Sequence, residues 1–272
     1  MPAKLATKTK KRHFRPPLRK SYVTTCERYD VYAIDAFAIR NIAEPDEEFT
    51  NFATRDDFPD LIPEGEIWIG HRNVEGEGVF FLANALTRLK EKERGASDDK
   101  ATAAGLEAER LLREQHTGIK YRDGKPHRQV PDEVYHEPYL TLPDPEYPVE
   151  VWLVDGCVVR SYYKTDYTEG GHGLVYPWVP KREIWVEKNM SAREWPYIVS
   201  HEYVEMRLMR DKGLGYDRAH EICSDVEFQL RKREGLMPLL VRGRHRLTKR
   251  DLPRLTRDEV LEHVVRTYVK KG

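Results

Sequence analysis

The sequence predicts an α+β fold made of two tandem copies of one unit, a strand hairpin followed by a helical hairpin. Three observations carry that expectation. "VYAIDAFAIR" (Val31 to Arg40) is echoed by "VWLVDGCVVR" (Val151 to Arg160), with Val, Asp and Arg in identical places. "IPEGEIWIG" from Ile62 is echoed by "VPKREIWVE" from Val179, which aligns Pro63 with Pro180 and Trp68 with Trp185. Run forward without a gap, the same register lays "FFLANALTRLK" from Phe80 over "YIVSHEYVEMR" from Tyr197. A one-residue shift then lays "DKATAAGLEAE" from Asp99 over "DRAHEICSDVE" from Asp217, with Glu109 on Glu227. The order and spacing persist over about eighty residues, the signature of an internal repeat.

Taken in order, the first twenty residues hold eight Lys/Arg and no acid. They predict a disordered basic arm over 1–25. Its Lys10, Lys11, Arg12, Arg15, Arg19 and Lys20 would contact nucleic acid or an acidic partner, or merely solubilise the chain. The first copy is expected over 26–115. Residues 116–148, rich in Pro and turn formers, read as a linker. The second copy follows over 149–236. There "VEVWLVDGCVVRSYY" reads as a hairpin turning at Asp155-Gly156, and Glu183 to Glu187 as a further strand. A helix is expected from Ser191 or Pro196 to Arg210, with Ser191 and Glu194 as its capping box. Gly213 and Gly215 break it, and a second helix runs from Tyr216 to Arg233 with Asp217 as N-cap. Residues 237–272 read as a basic connector, including Arg242 to Arg250, and a last helix capped by Thr256 and Glu259.

Composition narrows the function classes. Of 272 residues, 34% are charged, yet Lys+Arg (46) and Asp+Glu (46) cancel, which argues against a uniformly basic nucleic-acid binder. No apolar run approaches the ~18 residues a membrane span needs. The arm lacks the apolar region of a secretory signal. Cys26, Cys157 and Cys223 suggest no disulfide framework, so a reducing, cytoplasmic compartment is expected. Neither a phosphate-cradling glycine loop nor a G-x-S-x-G elbow is present.

The chemistry concentrates in "SHEYVEMRLM" (Ser200 to Met209). His201 and Glu205, four residues apart, share one helix face, so a metal ~2.1 Å from each is allowed. Glu202 points about 100° away, which resembles the place from which the glutamate of zincin metallopeptidases accepts a proton from metal-bound water. His220, on the next helix across a short turn, can complete a set of two histidines and one carboxylate, the composition of catalytic zinc sites. His172, between Gly171 and Gly173, is a candidate substrate contact or alternative ligand, its glycines allowing positive φ or close backbone approach. Cys223, on the face of His220, reads as a small buried residue, and Asp155 and Arg160 as a pair or cap of the hairpin. The competing reading is an ordinary solvated helix, since a highly charged chain often shows His and Glu at helical spacing.

On His201, Glu202, Glu205 and the downstream His220, the second copy resembles the zincin metallopeptidases, with Glu205 where their motif H-E-x-x-H has its second histidine. "GGHGLVYPWVPKREIWVE" followed by "HE" and "AHE" is also similar to an uncharacterised group of phage and bacterial proteins. The zincin resemblance implies a zinc-dependent hydrolase acting on peptide or protein, with iron or manganese as alternative ions. The repeat sharpens this, because His201, Glu202, Glu205 and His220 align with Asn84, Ala85, Arg88 and Thr102, and His172 with Arg55. The first copy therefore reads as a degenerate partner. The alternative is a non-enzymatic structural or nucleic-acid-associated protein, phage-related, with a structural or vestigial metal site.

Overall fold

The computed structural model describes residues 20–41, 49–122, 125, 129–142 and 147–232. Lys10, Lys11, Arg12, Arg15 and Arg19 of the basic arm, the segment Arg242 to Arg250 and the helix expected at Thr256 lie outside these residues. The fold is mixed α+β, with two four-stranded sheets and six helices among the described residues.

Period-two burial explains the central strands. Tyr29, Val31 and Ala33 face the core in β2 (Tyr29–Ile34), as do Val149, Val151 and Leu153 in β6 (Val149–Val154). Around β2 lie β1 (Lys20–Cys26), β3 (Phe52–Thr54) and β4 (Glu66–Gly70), in the order β1-β2-β4-β3. Around β6 lie β5 (Tyr135–Leu142), β7 (Gly170–His172) and β8 (Glu183–Glu187), in the order β5-β6-β8-β7. Both sheets have one parallel pair, β2 with β4 and β6 with β8, and antiparallel pairs elsewhere. A helical hairpin follows each sheet, α2 (His71–Glu93) with α3 (Asp98–Thr117) and α5 (Trp195–Lys212) with α6 (Tyr216–Lys232). Side chains repeat too: the Trp68 indole N–H donates to Glu66 at 2.7 Å and that of Trp185 to Glu183 at 2.8 Å.

Four sequence expectations are corrected here. Asp155-Gly156 turns no hairpin, because β6 pairs in parallel with β8 and the chain must cross over to it. Instead Asp155 caps α4 (Gly156–Tyr162), its Oδ1 accepting from the Val158 N–H at 3.2 Å. Asp35 caps α1 (Ala36–Arg40) in the same way at 3.4 Å. The true hairpin partners are β1 and β5, inside the stretches read as arm and linker. Both are edge strands: β1 is exposed almost throughout, and in β5 the half-buried residues Tyr135, Tyr139, Leu140 and Leu142 do not alternate, so neither shows the apolar period of a half-buried strand, and an edge tolerates Pro138. Lys20 accordingly belongs to β1, paired with Glu66 and 3.7 Å from the centre of the Tyr32 ring. Glu194 is fully buried and pairs with Arg40 and Arg231, so it closes no capping box. Asp217 sits within the first turn of α6, where the helix dipole favours a carboxylate, and Gly215 supplies the first acceptor.

The two units are interlocked reciprocally. Phe37 of α1 packs on the α5–α6 cluster around Tyr197 and Leu208, while α4 lies against α3. Arg160 of α4, wholly buried, donates to Glu77 of α2 at 2.9 Å, to Glu187 at 2.7 Å and to the Tyr167 carbonyl at 2.9 Å. Removing one member of a buried charge cluster leaves the others uncompensated, so Arg160→Met is expected to cost about 3–5 kcal/mol. Urea unfolding monitored by tryptophan fluorescence measures it, and a loss below about 1 kcal/mol would contradict this role for the cluster. No helix among the described residues is long and apolar enough to cross a membrane. All three cysteines are free.

Candidate metal centre

Pro196 sits in the first turn of α5, where its missing N–H costs nothing, and Gly213 ends the helix in the left-handed conformation at φ 67°. The link through Leu214 and Gly215 is so short that α6 returns directly alongside. Ile198, Val199 and Met206 of α5 pack against the second sheet, while Val204 and Leu208 meet Ala219, Ile222 and Cys223 of α6. Cys223 is fully buried in that cluster, as its small size suggested. This packing leaves His201 and Glu205 buried and aimed at His220, whose ring centre lies 4.9 Å from that of His201.

The three side chains converge. His201 Nε2 lies 3.2 Å from His220 Nδ1 and 3.7 Å from Glu205 Oε2, and His220 Nδ1 lies 3.0 Å from the same oxygen. A tetrahedral ion ~2.1 Å from its ligands sets them ~3.4 Å apart, so the three sides of this triangle bracket the required spacing. The group can hold a metal ion.

A second possible group, His172 with Glu202 and Glu205, has ligand atoms within 4.8 Å of one another. The protons argue against it. His172 Nδ1 accepts from the Leu174 N–H at 3.2 Å, so in the neutral ring the proton is on Nε2, which donates to Glu205 Oε1 at 3.0 Å. His172 thus orients the carboxylate rather than offering a lone pair. His201 has the opposite arrangement: Nδ1–H donates to Glu227 Oε2 at 3.0 Å, which turns Nε2 toward the triangle. His172 is wholly buried in β7, not at a loop rim, and Gly170, Gly171 and Gly173 do not have positive φ. The glycines serve close approach instead. A Cβ on Gly170 would lie 2.6 Å from the Ile198 side chain and 2.9 Å from the Trp185 carbonyl, so only glycine lets β7 lie this near α5.

Electrostatics follow from this packing. Burial works against a charged His201, but hydrogen bonds to Glu205 and Glu227 outweigh it and hold the imidazole well above its ordinary pKa. Burial would raise Glu205, yet His172, His201 and His220 together hold it far below the usual carboxylate range. Glu227 is likewise resisted by burial and brought down to about 2 by Arg231 and His201. Glu202 has no such donors among the described residues: burial, then repulsion from Glu205, push it up to about 7. Glu169, Glu202, Glu205 and Glu227 all line one cavity of about 120 Å³, together with Tyr176, Tyr216 and Ile198. Arg40 reaches Glu169 and Arg231 reaches Glu227, which leaves Glu202 and Glu205 as the carboxyls beside the histidines.

The first unit keeps the scaffold and lacks the donors. Asn84 stands in the place of His201 and donates to Glu109 at 2.7 Å, as His201 does to Glu227. Arg88, in the place of Glu205, pairs with Asp57 at 2.7 Å. Strand register aligns His172 with Thr54 rather than Arg55, since His172 faces Ile184 and Thr54 faces Ile67. Sequence reasoning noted Glu227 only as the repeat partner of Glu109 and overlooked Glu169, Arg231, Tyr176 and Tyr216. The recurrence of Glu109 and Arg113 at Glu227 and Arg231 was the available signal. Comparison with known proteins finds no matching family model, no matching curated protein and no matching solved structure.

Proposed function

We propose that the chain is a zinc-dependent hydrolase of zincin-like, metallopeptidase type, acting on peptide or protein, with His201, Glu205 and His220 as ligands and Glu202 as general base. The observation that carries this reading is the donor triangle of 3.0, 3.2 and 3.7 Å with His201 held by Glu227 in the ligating tautomer. A helix carrying H-E-x-x-E packed on a mixed sheet supports the zincin-like assignment, as does an absence of donors at the matched positions of the first unit. Zinc held by three such ligands keeps a position for water and lowers its pKa to ~7. Glu202, in the cavity wall beside the ligands, would serve as the general base toward a water activated there. The two histidines and one carboxylate also suit iron or manganese.

Metal content of the purified protein, measured by elemental mass spectrometry, tests the reading. About one equivalent of zinc is expected in the wild type and none in His201→Ala/His220→Ala. A wild type that takes up no divalent metal even after reconstitution would sink the hydrolase reading.

A further inference from the structure

We infer that the first unit completes the metal centre of the second, with Arg40 as a positioning residue acting on His201 through a buried chain of charges. The inference rests on the proposed ligand set. Arg40, at the end of α1, donates to Glu194 Oε1 at 3.0 Å. The other oxygen of Glu194 accepts from Arg231 at 2.6 Å, Arg231 donates to Glu227 Oε1 at 2.8 Å, and Glu227 Oε2 accepts from His201 Nδ1 at 3.0 Å. Arg40, Glu194 and Arg231 have side-chain exposures of 9%, 1% and 3%, so water replaces none of these contacts. Arg40 also pairs at 2.7 Å with Glu169, which lines the cavity and has φ 59°, a left-handed conformation rare for glutamate.

An internal twin of this chain separates positioning from mere support. Arg160 pairs with Glu77, Glu77 with Arg113, Arg113 with Glu109, and Glu109 with Asn84. Each step has the residue types of its counterpart, with the units exchanged, except the last, where Asn84 replaces His201. Both chains tie the units together, and one of them ends on a ligand. The residue fixing a ligand's second nitrogen sets its tautomer and orientation, and disturbing such partners costs metal affinity about 10- to 100-fold. The first unit is therefore kept for what it supplies to the second, not as a vestige.

Glu194→Gln and Glu77→Gln are isosteric and interrupt the two chains at matched points. Glu77→Gln leaves Arg160 held by Glu187. Cobalt(II) titration of the full chain followed by visible absorption reads the site directly. Affinity is expected to fall about 10- to 100-fold in Glu194→Gln and in Arg40→Met, and less than about twofold in Glu77→Gln, with Arg40→Lys intermediate. Equal losses in the Glu194 and Glu77 variants, or no loss in either, would overturn the inference. Histidine ¹⁵N NMR of the metal-free protein gives a reading independent of the ion. At a pH above its raised value, where the ring is neutral, His201 should hold its one proton on Nδ1 in the wild type and Glu77→Gln, and show mixed tautomers in Arg40→Met; an unchanged His201 spectrum in Arg40→Met also overturns it. A wild type that binds no cobalt would remove the ligand assignment while leaving the effect of Arg40 on His201 to the NMR comparison.

Discussion

Glu202→Gln is expected to leave fold and metal content unchanged while turnover falls about 10²- to 10⁴-fold, the range for loss of a general base. Glutamine keeps the shape of the side chain in the cavity wall and cannot accept the proton. The metal-free cavity holds Glu202 at about 7, by burial and then by the charge of Glu205. A cation bound at Glu205 favours the ionised carboxylate and draws that value down, so the acid limb of kcat/KM should fall below pH 7. Rate should then rise with pH through the limb, as the base loses its proton. A mixed fluorogenic peptide library with zinc-loaded protein provides the assay, and elemental analysis the control. Full activity in Glu202→Gln at unchanged metal content would remove Glu202 from the chemistry.

The repeat was legible because it is written in residues whose roles are local. Asp35 and Asp155 cap the crossover helices, and Trp68 and Trp185 bond the glutamate two residues before them, so each leaves an identity at fixed spacing. The convergence of His201, Glu205 and His220 was legible for a related reason, since helical geometry puts His201 and Glu205 on one face and a short turn returns His220 to them. Edge strands β1 and β5 were not, because β1 is exposed almost throughout and the half-buried residues of β5 do not alternate, so neither has a period-two pattern to read. Nor was the role of His172. A histidine's job depends on which nitrogen keeps the proton, and the Leu174 N–H that decides it is met only once the backbone folds at Gly173. The Arg40–Glu194 pair spans 154 residues, so no local pattern announces it.

Zinc affinity is expected to fall steeply as pH is lowered, by about tenfold per pH unit once His201 is protonated, because ligation must displace that proton. Hydrogen bonds to Glu205 and Glu227, overcoming burial, raise the pKa of His201, so the loss should begin at higher pH than for a histidine of ordinary pKa ~6.5. Linkage fixes the sign for the metal-free protein as well. The stability His201 contributes is fully present below ~6.5 and lost as pH rises through its raised folded value, whereas that of Glu205 and Glu227 is present above ~4.3 and lost as pH falls through their lowered ones. Above the raised value the ion meets no competing proton on His201 and restores the interaction between the ligands that deprotonation removed. The stabilisation by a fixed excess of zinc, read as a gain in Tm, should therefore grow from pH 6 to pH 8, and it amounts to ~2.7 kcal/mol where zinc stands at one hundred times Kd. Glu227→Gln weakens one of the two bonds that raise His201, so its pH dependence should move to lower pH even as its affinity at pH 8 falls. Differential scanning fluorimetry across this range reads both effects. A zinc-induced shift independent of pH would mean that His201 carries no proton for the ion to displace, and would move the metal away from the His201–Glu205–His220 triangle.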